Sequence, residues 1–501
     1  MARLRSHAFS VKRALALCLA SVACGHAAQA ADEWQLLEEH WYTVELAGAR
    51  AGSMVERVED DGERYRTAME VRMSLKRDQV SATIEITSTF VESHDGRLLV
   101  LEYVQNMGLQ SVDTEWRFEA DKVVQTTRQG MRELVREHPL PEGEWLTPRA
   151  AHRYWLKRRE AAAQEITFRM ISPEAGIDPV TITQKLLGED TYELGDRTIP
   201  VTVWQTTTDF MPRPAREMYS SDGHLVFQEI SAGFGPMVTR IATRAEAQGV
   251  EAGEAPEILV STFVKPDKPI PDAVRSTTAT LRLRVNEGTM PAIPSAGAQR
   301  VTPAADGAVT LSIDINDSQP ATAAESADPA YLDSTAMVDG EDPVIRALAA
   351  KALRGVGDDP MDRAEAMRAF VGRFVSDKGL DTAFATASET AQMQTGDCSE
   401  HAVLLCAMLR AEGIPARVAI GLIYVDSFLG RDAIFGWHMW TQALIDGRWV
   451  DLDAVLDTRY HAGHVLTGTS GLGGGGLTPE LATSITLIGN LRIEVVDMGY
   501  E

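Results

Sequence analysis

Positive charge, cysteine and long apolar runs are all scarce in this chain, and each scarcity excludes something. Of 501 residues, 48 are Lys or Arg against 72 Asp or Glu, a net charge of −24. Such a surface repels phosphate backbones and anionic lipid headgroups, so no nucleic acid partner is expected. Four cysteines, Cys18, Cys24, Cys398 and Cys406, are too few for a disulfide-built scaffold. The most apolar stretch, Ala14 to Ala23, is far shorter than the ~20 residues a spanning helix needs. Hydrophobic content of 44% and charged content of 24% are those of folded soluble chains, and this length calls for two or three cores.

That apolar stretch has another use. Arg3, Arg5, Lys12 and Arg13 precede it and Ala28-Gln29-Ala30 follows it, which together read as a signal peptide over residues 1–30. The expected mature chain is periplasmic or secreted, with no integral membrane span. An uncleaved anchor and a lipoprotein anchored at Cys24 are lesser alternatives, the second because Ser21 is a poor first residue for a lipobox. Removal of the leader takes four basic and no acidic residues, moving the net charge to −28. It also leaves only Cys398 and Cys406. Eight positions apart on one helix, they would sit ~12 Å from each other, beyond disulfide reach. Two free thiols in an oxidising compartment require an explanation.

From residue 31 to about 250 the hydrophobic period is mainly two. Ala82, Ile84, Ile86 and Phe90 alternate with Thr83, Glu85, Thr87 and Thr89, and Asp61-Gly62, Asp95-Gly96 and Asp222-Gly223 supply hairpin turns between such runs. An antiparallel β-rich domain follows, interrupted by one helix that starts at Thr147-Pro148. Pro256, Pro266, Pro269 and Pro271 mark a boundary, so residues 251–335 read as a proline-rich linker with a small β segment around Leu281–Val285 and Val309–Ile315. Residues 316–334 have the composition of a linker. The last domain, 336–501, opens with helices after Asp342-Pro343 and from Met361 toward Val375, then turns to strands. The expected fold class is α+β, a β-rich domain followed by an α+β domain.

Within that last domain, Asp397 stands at a helix cap, Cys398 opens the helix, and Gly413 and Pro415 close it. A thiol in the first turn meets unpaired backbone N–H groups and the positive end of the helix dipole, which favour thiolate. The carboxylates of Asp397 and Glu400 oppose it, so a histidine partner should matter more than the dipole. Cys406, among Val403, Leu405 and Leu409, reads as core. Phe435–Ile445 and Arg448–Val455 read as strands joined by Asp446-Gly447. In that register His438 opposes Val455, and Asp453 is its diagonal neighbour on the same face.

Three separated blocks carry a family resemblance. Gly396-Asp397-Cys398-Ser399-Glu400-His401-Ala402 with Arg410 to Arg417, then Trp437-His438-Met439-Trp440, then Trp449-Val450-Asp451-Leu452-Asp453-Ala454 resemble the cysteine, histidine and aspartate blocks of the transglutaminase-like superfamily, with Ala454 where many members have proline. The resemblance implies a papain-like catalytic domain and acyl transfer at an amide of a peptide or protein substrate. Cys398 would be the nucleophile, His438 its base and Asp453 the orienting carboxylate. Hydrolysis by a protease or amidase is the favoured expectation. Crosslinking by a transglutaminase and a non-catalytic scaffold are the alternatives.

No cofactor and no metal is expected. His461 and His464 lie three apart without a third ligand nearby, and Gly471–Gly476 lacks the Lys and Ser or Thr of a phosphate loop. Tyr424, Trp437 and Trp440 are candidates for lining an acyl cleft, against the plainer reading of sheet packing.

Overall fold

The computed structural model describes residues 34–500 apart from 78–79, 108–109, 130–131, 210–212, 232–234, 250–258, 380–384, 474–483 and 485. The expected signal peptide at 1–30, Pro256 and Gly474–Gly476 lie outside the described residues.

Two-residue alternation builds one antiparallel sheet of fourteen strands over residues 35–242. Its first strand, Gln35–Leu46, and its last, Pro236–Ala242, are paired side by side, from Trp41 with Ala242 to Leu46 with Met237. From that seam seven strands extend one way and five the other, in hairpin order. The three Asp-Gly pairs all fall between consecutive strands, as expected. The two outermost strands, Arg132–Pro139 and Glu165–Ile171, are joined through the helix Pro148–Glu160. Trp155 of that helix packs on Trp204 and Tyr219, with ring centroids 5.7 and 5.0 Å away. Arg149, six residues earlier, binds Glu38 at 3.1 Å, so the helix lies across one face of the sheet.

Helices Pro343–Ala352 and Pro360–Phe374 are capped by the side chains of Asp342 and Asp359, each followed by a proline at the first position. A short helix, Ala387–Met393, has no counterpart in the periodicity analysis because two turns carry too little pattern; its signal was the Thr386 and Glu389 capping box. Next is the cysteine helix, Cys398–Ala411, in which every residue from Ser399 to Arg410 is buried. A helix buried all round must be packed on several sides.

It lies on a four-stranded antiparallel sheet ordered Arg448–Leu452, Arg431–Ile445, Ala416–Phe428, His464–Ser470. Ala402, Leu405 and Met408 of the helix share a core with Val418, Ile420, Met439 and Ala443 of the sheet. The opposite face meets a second four-stranded sheet, ordered Gln299–Pro303, Val309–Asp314, Ser276–Val285, Leu491–Tyr500. There Leu281, Leu283, Leu311 and Ile313 pack with Ala419, Phe435 and Trp440. The result is helices, sheet and sheet in three layers. Residues 416–424 are buried without a break, as a strand covered on both faces requires.

The β segment at 276–314 is thus more than an ornament of a linker. Its strand Ser276–Val285 pairs with Leu491–Tyr500, Leu283 opposite Ile493, and its apolar face is buried only because that distant partner and the central sheet cover it. Residues 316–334, linker-like in composition, hold the helix Ala323–Ala327, whose Glu325 binds the buried Arg417 at 2.7 Å.

Candidate active site

The cysteine helix starts where the sequence places it. Asp397 accepts the N–H of Ser399 at 2.9 Å, and Glu400 reaches back to the N–H of Asp397 at 2.9 Å, a reciprocal cap. The other oxygen of Glu400 accepts the N–H of Ala385 at 2.9 Å. Gly396 makes this packing possible: a Cβ there would come within 2.3 Å of the Glu400 Cβ. Burial and the neighbouring Asp397 carboxylate push Glu400 up to about 8. Nδ1 of His401 lies 2.7 Å from the Asp397 carbonyl oxygen, which only accepts, so Nδ1 carries the proton and donates it.

Cys398 is half-buried in the first turn, while Cys406 is fully buried. Burial raises the Cys398 thiol above its ordinary value and Asp397 raises it further. A hydrogen bond with the His438 side chain and one from the Met439 backbone act in the opposite direction. Against burial and Asp397, His438 is the main group favouring thiolate, in line with the expectation that a histidine partner matters more than the dipole.

His438 lies on the strand Arg431–Ile445. Its Nε2 is 2.7 Å from Oδ2 of Asp453, so Nδ1 is the nitrogen left for Cys398. Burial disfavours the charged ring, but Asp453 and then Cys398 outweigh it and push His438 up to about 10. Burial likewise disfavours the Asp453 carboxylate, and His438 and His464 more than reverse this, holding it well below the usual carboxylate range. The three residues expected together are therefore adjacent, in the order Cys398, His438, Asp453.

The route to that adjacency differs in one respect from the register argument. Asp446 and Gly447 both have positive φ, 50° and 72°, and Ile445 pairs with Arg448 as expected. The ladder, however, stops at Thr441 opposite Leu452, and the strand ends there instead of reaching Val455. Asp453 turns on its own backbone, with Oδ1 accepting the N–H of Val455 at 2.9 Å, a local bond that competes with strand pairing. Arg368, buried on the helix Pro360–Phe374, then holds the departing loop by donating to the carbonyls of Asp453 and Leu456, each at 3.2 Å.

Sequence reasoning missed two groups at the site. Arg368 carries no local signal that would single it out on its helix. His464 was weighed only as a metal ligand and set aside for want of a third ligand; in the fold its Nε2 lies 3.1 Å from Oδ2 of Asp453. The ligand atoms of His438, Asp453 and His464 all fall within 4.8 Å of one another. His461 is not in that group; its ring lies 4.7 Å from that of His464, and its Nδ1 accepts the N–H of Gly463 at 3.1 Å. A second group, Glu38, His40 and His224, clusters on the N-terminal sheet, where Arg149 already occupies Glu38 and opposes a cation. Of the aromatic candidates, Tyr424 and Trp440 are interior, their polar atoms bonded to the Ile270 N–H and to Asp451. Trp437 alone is half-buried.

Residues 346–454 match the family model of the transglutaminase-like superfamily, so the chain carries a transglutaminase-like domain. Likeness to solved structures is low. A β-barrel-like protein of the domain of unknown function DUF1849 from Brucella abortus aligns over 41% of this chain and 95% of its own, at 14% identity and a TM-score of 0.32. A candidate cysteine protease from Cytophaga hutchinsonii aligns over 45% and 85%, at 16% identity and a TM-score of 0.27. The periplasmic domain of TgpA from Pseudomonas aeruginosa aligns over 38% and 88%, at 17% identity and a TM-score of 0.23. No curated protein matches the sequence. Among the described residues no helix is long and apolar enough to cross a membrane.

Proposed function

We propose that this chain, with its transglutaminase-like domain at 346–454, is an exported cysteine enzyme that transfers the acyl group of a peptide amide, in the first instance to water. The single observation that carries the reading is the buried pair of His438 and Asp453 at 2.7 Å, with the Cys398 thiol coupled electrostatically to the same imidazole. His438 takes the thiol proton, and the Cys398 sulfur attacks the carbonyl carbon. The carbonyl π electrons move to oxygen, where the backbone N–H of Cys398, unpaired as the first of the helix, would donate to it. Collapse breaks the C–N bond, the amine leaves with the proton from His438, and a thioester remains. Water, deprotonated by His438, then cleaves the thioester and restores the thiol. Asp453 keeps the Nε2 proton of His438 in place so that Nδ1 faces the sulfur.

The transglutaminase-like match supports a peptide substrate, and the expected signal peptide at residues 1–30 supports action outside the cytoplasm. A panel of peptide and peptidoglycan amides, offered with and without a primary amine, tests the proposal. Turnover that disappears in Cys398→Ala is the expected result, and product carrying the amine would assign crosslinking instead. Turnover retained in Cys398→Ala would refute the cysteine mechanism.

A further inference from the structure

Asp453 serves two histidines through one oxygen. Nε2 of His438 is 2.7 Å and Nε2 of His464 is 3.1 Å from Oδ2, while Oδ1 is taken by the N–H of Val455. The protons on His464 follow from its partners. Its Nδ1 lies 2.8 Å from the carbonyl oxygen of His461, which can only accept, so Nδ1 carries a proton. Its Nε2 faces a carboxylate oxygen that already accepts from His438, and a bare nitrogen lone pair at that distance would repel it. Nε2 must donate as well.

We infer that His464 is held as an imidazolium and acts as a positioning residue, pinning the Asp453 carboxylate in the orientation and charge state that His438 requires. The inference rests on the proposed Cys398, His438, Asp453 relay and adds a fourth member to it. The surroundings suit a buried cation. The ring is fully buried, Tyr460 stacks on it with centroids 4.1 Å apart and planes 26° from parallel, and Trp440 meets it at 5.2 Å. Aromatic π systems stabilise a cation on their faces. The titratable groups facing it are Asp453, His438, His461, Tyr460 and, through its electrostatic field, Asp451. Asp451 is itself anchored by Trp440, Gln442 and the Ala298 N–H.

The arrangement solves a charge problem. When the Cys398 proton has moved to His438, the three expected residues hold two negative charges and one positive, and an uncompensated buried charge is costly. A second imidazolium makes thiolate, imidazolium, carboxylate and imidazolium alternate with no net charge. Three N–H donors on the two Asp453 oxygens also leave the carboxylate one orientation.

The test is the rate of Cys398 alkylation by iodoacetamide across pH in the full chain, for wild type, His464→Ala, His464→Gln and Asp453→Asn, together with nitrogen-15 spectra of histidine-labelled wild type. His464→Ala should lower the plateau rate on the order of 10- to 100-fold, the usual loss for a supporting partner, and move the rise of the profile to higher pH because a positive charge has gone. His464→Gln keeps a donor without the charge, so it should recover plateau rate but keep the pH displacement, a split that simple loss of packing would not produce. Both ring nitrogens of His464 should resonate as protonated. A His464 spectrum with one bare nitrogen overturns the inference, and so does a folded His464→Ala with wild-type rate and profile; should His464→Ala not fold, the Gln variant and the spectrum decide. Wild-type Cys398 reacting no faster than an unfolded thiol, with Asp453→Asn unchanged, would instead refute the underlying relay, and the inference with it.

Discussion

Asp453→Asn isolates one charge at nearly constant volume. The carboxylate is fully buried and its Oδ2 is 2.7 Å from Nε2 of His438. Two unit charges with centres about 4 Å apart attract by roughly 4 kcal/mol at an effective dielectric of ~20. At about 1.4 kcal/mol per factor of ten, losing that attraction lowers the thiolate and imidazolium population on the order of 10³-fold. Geometry adds to the loss. If the new amide turns its oxygen to the two histidines, its NH2 faces the Val455 N–H; if it flips, its NH2 faces His438 and forces the wrong tautomer. The assay is alkylation of Cys398 at neutral pH followed by peptide mass, with thermal unfolding as the check on folding. A slowing on the order of 10²- to 10⁴-fold in a folded variant is expected. A folded Asp453→Asn that alkylates at the wild-type rate would refute the view that this carboxylate acts through His438.

In native protein Cys398 should be alkylated far faster than Cys406, because the first is half-buried beside His438 and the second is fully buried; equal rates, followed by peptide mass, would contradict this. Arg368→Ala should destabilise the protein by about 2–4 kcal/mol in denaturant unfolding, since it strips donors from the buried carbonyl of Asp453 and the partly buried carbonyl of Leu456, and it should slow Cys398 alkylation by freeing the loop. Stability should also report on His438. Its folded value of about 10 lies above the ordinary 6.5, so its contribution is fully present below pH 6.5 and is lost as the pH rises toward about 10. Chemical denaturation of wild type and His438→Ala across that window should show the decline in wild type and a flatter profile in the variant.

Much of the site was legible because its determinants are local. The cap at Asp397, the stop at Gly413 and Pro415, and the two-residue turn at Asp446-Gly447 are each set by a few neighbouring residues, and they put Cys398 at an open helix start and His438 on a strand next to Arg448–Leu452. Alternation in residues 35–242 likewise announced antiparallel strands. Their number in one sheet was not announced, because pairing of Gln35–Leu46 with Pro236–Ala242 joins residues about two hundred positions apart.

Tertiary structure decided the rest. Composition and alternation made residues 251–335 read as a linker with a small β segment, but could not show that the strand Leu491–Tyr500 and the central sheet close over Leu281 and Leu283. His464 shows the same limit at the site. It belongs to a strand beside Ala416–Phe428, whereas Asp453 follows the strand on the far side of His438, and no local pattern says that two such strands bracket one histidine. Short-range rules choose helix, strand and turn from residues a few positions apart, and so they put Cys398 at a helix start and His438 on a strand. Which buried charges finally meet depends on sheet order and on where a strand stops, here at Leu452, and those are settled only when the layers pack.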